Sequence, residues 1–182
     1  MNKKVLHPNT QTLLSAWERM TSPDMADQAI PKTSDHPDLI DSLFVLEQKE
    51  PDIWIFRNAG DQMSKLLGRE LGDHNFPDLW TGHDRAMLLS FMSSVQQTQL
   101  PGILKARGET LTGQRIDMEL TLAPLKRLSE TSGKTRLLGL YQTLGGAGML
   151  MGRPIWRHRL TAIYPPDFQE ERARLQLVAS ND

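Results

Sequence analysis

Two histidines, His74 and His83, stand among Asp73, Asp78 and Asp84. Imidazole beside carboxylate is the pairing from which divalent-metal sites and proton relays are made. Their spacings match no compact metal motif and no third ligand is ordered beside them, so capping and surface roles fit better. Arg57 and Arg69 lie close to Glu70 and Asp73. A guanidinium suits carboxylate and phosphate alike, so Arg57 either joins a structural ion-pair network or faces a pocket and holds an anionic ligand. Trp80, Met87, Phe91 and Met92 either line a cavity or fill a core, and methionine adapts to both uses. The run GGAGMLMG (145–152) has the glycines of a dinucleotide loop, but such a loop needs a βαβ unit around it. Pro154 follows closely, so the run reads as the exit from a strand. The chain shows neither a nucleophile elbow nor a P-loop, and its paired acids sit in polar segments, which points away from catalysis.

Composition narrows the field further. Hydrophobic residues at 38% and charged residues at 24% describe a globular chain that can bury a core. With no cysteine there is no disulfide, thiolate metal site, cysteine nucleophile or cysteinyl–flavin bond. The two lysines of MNKKVLHPNTQ are followed by no apolar stretch of a leader peptide, and a reducing cytoplasm is the expected location. No apolar run approaches the ~20 residues of a membrane span. A net charge of −1 argues against a dedicated nucleic-acid binder, although Arg153, Arg157, His158 and Arg159 form a local basic patch.

The elements that must position these residues follow from periodicity. Leu13, Leu14 and Trp17 share a face of a helix over 10–20, capped by Asn9 or Thr10. A connector with three prolines follows and contains His36-Pro37-Asp38, a tripeptide that marks J-domain co-chaperones between two helices; here it precedes a strand. LFVLEQKE and IWIFR are strands joined by a tight turn at Pro51-Asp52. Gly60 or Asp61 starts a short helix with Met63, Leu66 and Leu67 on one face and Gly68 near its end. A helical turn carries Phe76, Leu79 and Trp80, with Pro77 at its first positions. Asp84 is expected to cap a longer helix bearing Met87, Leu88, Phe91, Met92 and Val95. ILKARGETL, QRIDMELTLAPL and LLGLYQTL are three further strands. The second alternates Ile116, Met118, Leu120 and Leu122 with polar residues, the period of a half-buried antiparallel strand. RPIWRHRLTAIYPP alternates too, and would add an edge strand or dock on an acidic surface. An amphipathic helix is expected from Asp167 to about Val178. Helices inserted between two strands and three strands make an α+β layout: a five-stranded antiparallel sheet with helices on one face.

That order is the PAS layout. The chain resembles the PAS-like domain family widespread in alphaproteobacteria, single-domain PAS proteins with a leading Trp-bearing helix. The resemblance rests on Trp17, then Arg57, Ala59 and Gly60, then Gly68-Arg69-Glu70-Leu71-Gly72, then Phe76, Leu79 and Trp80. It covers residues 7–144 and implies a PAS fold with a sensory or regulatory role, without naming a ligand. It also leaves room for a haem on His83, since some PAS domains use a helix histidine. Physically, Ala59-Gly60 offers small volume and permissive angles where the second strand leaves the sheet, and Gly68 and Gly72 allow further reversals.

The expectation is therefore an N-terminal helix and linker (1–34), a PAS-like core (35–145) and a glycine-rich exit with a C-terminal extension (146–182). The function expected is that of a non-enzymatic bacterial signalling protein acting through protein–protein contact. By analogy with PAS domains that pair through a flanking helix, Leu13, Leu14 and Trp17 are expected at a homodimer contact. No cofactor is expected. The competing expectation is a small-molecule sensor whose pocket holds Trp54, Arg57, Trp80 and Phe91.

Overall fold

The computed structural model describes residues 6–21, 37–125 and 133–166. The helix expected from Asp167, the connector residues 22–36 and the loop residues 126–132 lie outside these residues. Six strands form one antiparallel sheet in the order β2-β1-β5-β4-β3-β6. They are β1 (Leu43–Glu50), β2 (Ile53–Ala59), β3 (Gly102–Thr110), β4 (Arg115–Pro124), β5 (Arg136–Thr143) and β6 (Ile155–Tyr164). The helices are α1 (Pro8–Thr21), α2 (Pro37–Ile40), α3 (Asp61–Leu67) and α4 (Gly82–Thr98), with a 3₁₀ turn at Phe76–Leu79 and another at Ala147–Leu150.

The alternation of the strands assigns the two faces of the sheet. Phe44 and Leu46, Trp54 and Phe56, Leu104 and Ala106, and Ile116, Met118, Leu120 and Leu122 all turn to one side. There they meet Met63, Leu66 and Leu67 of α3, Phe76 and Leu79 of the 3₁₀ turn, and Leu88, Phe91, Met92 and Val95 of α4. This is the main core, between sheet and helices. Met87, expected on the same helix face, is 41% exposed. Asp84 is not the cap of α4: Thr81 is, and Asp84 lies in the first turn, where its carboxylate accepts the backbone N–H of Leu160 in β6.

Two expectations about the layout change. The sheet has six strands, because residues 155–164 pair with β3 along its whole length, from Thr110↔Ile155 to Ile103↔Tyr164. The basic segment is thus an edge strand of the core and does not begin an appended extension at 146. The helices also occupy both faces. Helix α1 lies on the outer face, where Leu13 packs with Leu39 and Leu140, and the indole N–H of the buried Trp17 donates to the carbonyl of Pro124 at 2.9 Å. For that reason β4 is buried on both sides beyond Asp117, where a half-buried strand was expected.

The N-terminal end of α1 is held by a carboxylate. Glu119, fully buried on the outer face of β4, accepts the Thr10 hydroxyl at 2.6 Å and the His7 backbone N–H at 3.1 Å. The Lys105 ammonium stands 3.3 Å from its other oxygen. An anion at a helix start answers both the free N–H groups and the positive end of the dipole. Glu119→Ala is expected to cost about 1–3 kcal/mol, the penalty for buried donors left without their acceptor. Hydrogen exchange should show lost protection concentrated in α1; a loss spread evenly over the sheet would refute this anchoring role.

Candidate functional site

The four residues expected around a pocket do not share one. Trp54, Trp80 and Phe91 are 2%, 1% and 3% exposed and belong to the packed core. Arg57 is on the opposite face of the sheet. It is the extra residue of a bulge in β2, between the pairs Val45↔Asn58 and Leu46↔Phe56. Its guanidinium stands 3.7 Å from Glu47 and 3.6 Å from Asp73. The ion-pair alternative describes its surroundings.

Glu47 is the centre of that outer-face network. Lys49 at 2.8 Å, Lys134 at 3.4 Å and Arg136 at 2.9 Å surround its carboxylate together with Arg57. Hydrogen bonding from Lys49, aided by Arg136 and Lys134, holds its pKa down to about 2 against the opposing effect of burial. His74 and His83 are both exposed. Among the described residues no group of three His, Cys, Asp or Glu side chains is placed to hold a metal.

The segment after β2 owes its path to two close approaches. A Cβ on Gly60 would lie 2.2 Å from the carbonyl oxygen of Asp41, so glycine is needed there for space; its φ of −66° is ordinary. Gly68 closes α3 in the left-handed region at φ +65°, and a Cβ there would also stand 2.7 Å from Pro154. Gly72 makes no such approach, and the left-handed residue of that reversal is Asp73 at φ +60°. The 71–75 segment then runs along the free edge of β2. Phe56 donates to the His74 carbonyl, Asp73 to the Phe56 carbonyl, and Trp54 to the Asn75 side chain. Those bonds shield an otherwise open edge.

The contact of Gly68 with Pro154 sets Arg69 and Arg153 in the lining of one cleft. A cleft of about 590 Å³ opens here, between the end of α3, the 3₁₀ turn, the β3–β4 turn and the start of β6. Leu67, Leu79, Leu111, Ile155 and Trp156 supply its apolar lining, and Arg69, Arg153 and Arg157 its charge. Behind the cleft is a buried polar chain. The Nδ1 of His158 lies 3.2 Å from the carbonyl of Leu79, and its Nε2 lies 2.7 Å from the Tyr141 hydroxyl. A carbonyl can only accept, so Nδ1 carries the proton and Nε2 accepts from Tyr141. Burial keeps the imidazole neutral, its pKa pushed down to about 4, with the charge of Arg69 acting the same way. The same burial raises Tyr141. His158 was expected only as one member of a basic patch. Nothing local in the sequence shows that Trp80 and Tyr141 will cover it.

The strand order, the helices between β2 and β3 and the leading helix define a PAS architecture. Residues 5–142 match the family model of the PAS domain, and the chain belongs to that family. A search of curated proteins found no match. The membership gives a sensory or signalling role. Residues 143–166, and with them β6 and its side of the cleft, lie beyond the matched range. No helix among the described residues is long and apolar enough to cross a membrane.

Proposed function

We propose that this PAS domain is a non-enzymatic signalling module of the bacterial cytoplasm that works by binding another protein. The observation that supports this reading is the filled space between sheet and helices. Trp54, Trp80, Phe91 and their neighbours pack against one another there, in the position a pocket would need. By contrast, large apolar side chains are exposed together at the surface cleft, and a protein interface can use them. Binding would bias the packing of α3 against the sheet and its edge strand β6 and so pass on a signal. If the protein forms a homodimer through α1, Leu14 and Met20 would be the apolar residues it offers, since Leu13 and Trp17 are buried against their own sheet.

One feature favours a small-molecule sensor instead. The indole N–H of Trp80 is buried without a hydrogen-bond partner among the described residues, and a small polar ligand in the core would supply one. Native mass spectrometry of protein freshly purified from its host separates the readings. The expected result is the polypeptide mass alone, as monomer or dimer. An excess mass that disappears on denaturation would replace the interaction reading by the sensor.

A further inference from the structure

We propose that the cleft at the start of β6 docks an acidic peptide segment carrying an apolar anchor, presented by a partner protein. The proposal rests on the interaction reading above. Three observations carry it.

The first is exposed apolar surface gathered at one end of the molecule. Trp156 is 68% exposed, Leu111 75% and Met151 72%, and Met149 nearby is 61% exposed. Trp156 and Leu111 line the cleft, and the Met151 sulfur lies 3.9 Å from Gln114 in the same β3–β4 turn. The second is local geometry. Ile155 pairs with Thr110 and Arg157 with Glu109, which leaves Trp156 as the unpaired extra residue of a bulge. A bulge re-aims a side chain out of the strand pattern, and here it puts a tryptophan at the cleft rather than in the core.

The third is charge. Arg157 is paired with Glu109, and Asp78, the one carboxylate in the lining, is held by Arg85 and Asn75. Arg69 and Arg153 make no ion pair among the described residues. Two uncommitted guanidinium groups beside an exposed indole match the composition of binding hot spots. The positive balance selects an acidic occupant. Leu111 and Met151 extend the apolar surface past what one planar ring covers, which favours a peptide over a small anion.

The test is selection of a random 12-residue peptide library displayed on phage against the immobilised full chain. The expected result is enrichment of peptides with Asp or Glu flanking Leu, Phe or Trp. Their affinity should fall by at least about tenfold in the double variant Arg69→Glu, Arg153→Glu, and by about thirtyfold in Trp156→Ala. All three side chains are exposed, so both variants should keep the wild-type melting temperature. Acidic peptides that bind both variants as well as wild type would overturn the cleft while leaving the interaction reading in place. So would enrichment without acidic residues. If no peptide is retained, the proposal fails, and ATP binding that needs Arg69 and Arg153 would then reassign the cleft to a small anion. A core adduct in the mass spectrum, by contrast, is the result that removes the interaction reading itself.

Discussion

Phe76→Ala is expected to lower the free energy of unfolding by about 3–5 kcal/mol, a large share of what holds a domain of this size together. Phe76 is fully buried at the start of the 3₁₀ turn, where Pro77 fixes the φ of the second residue. Its ring is the hub of an aromatic cluster. It stacks on Phe44 at 5.3 Å and meets Phe56 edge-on at 5.6 Å and Trp80 at 5.1 Å. Such contacts add to the transfer free energy of the ring. The three partners come from β1, β2 and the residue closing the turn, so truncation leaves a hole that no single element can move to fill. Phe76→Leu should cost about 1–2 kcal/mol, since most of the volume is kept. Urea denaturation of the two variants beside wild type measures both. Equal losses would mean that the aromatic ring itself carries the cluster and that the volume kept by leucine adds nothing.

The second large effect is acid sensitivity centred on His158. In the fold its pKa is about 4, against an ordinary 6.5, because the charged form would be buried against Trp80 and Tyr141. Above pH 6.5 the side chain is neutral in folded and unfolded chains alike, and its packing contributes in full. Below pH 6.5 the unfolded chain takes up a proton that the folded chain refuses, so stability falls by about 1.4 kcal/mol per pH unit until pH 4. Between pH 6.5 and 5 that amounts to about 2 kcal/mol. Glu47, held down to about 2, loses its contribution only below its ordinary value of 4.5, so its effect is displaced to more acid solution. His158→Gln can donate to Leu79 and accept from Tyr141 without titrating. Urea midpoints at pH 7.5, 6.5, 5.5 and 5 should slope steeply in wild type and much less in this variant. Equal slopes would assign the acid response to other groups.

How much of this was legible depended on whether the determining contact was local. The alternation of Ile116, Met118, Leu120 and Leu122 marks β4 and its inner face, and Ala59-Gly60 marks a place with no room for a side chain. Gly68 is readable as a helix end, since a left-handed cap is set by its own neighbours. Other features depend on partners far away in the chain. Whether Leu13 and Trp17 meet a second copy or the chain's own sheet is decided by Leu140 and Pro124. Apolar periodicity is the same in both cases. The alternation of 155–164 suggests an edge strand, but its pairing with β3 across some fifty residues is invisible, and the glycines before it read as an exit. Arg57 could not be assigned a face, because one bulged residue reverses the alternation that would assign it. Trp54, Trp80 and Phe91 are identical in type whether they line a void or fill one.

The position of β6 has a consequence for how the protein is made. The strand that covers Tyr141, takes the Leu79 carbonyl and supplies Ile155 to the core is the last of the six described strands to be synthesised. A nascent chain emerging from the ribosome can pair β1 with β2 and lay α4 over them. It then waits, with the edge of β3 bare and the cleft unformed, until residue 164 has appeared. During that interval the growing polypeptide presents an unpaired strand edge beside apolar side chains, the surface that chaperones recognise. The six-stranded sheet and the cleft are therefore completed in one step, once residue 164 has been made.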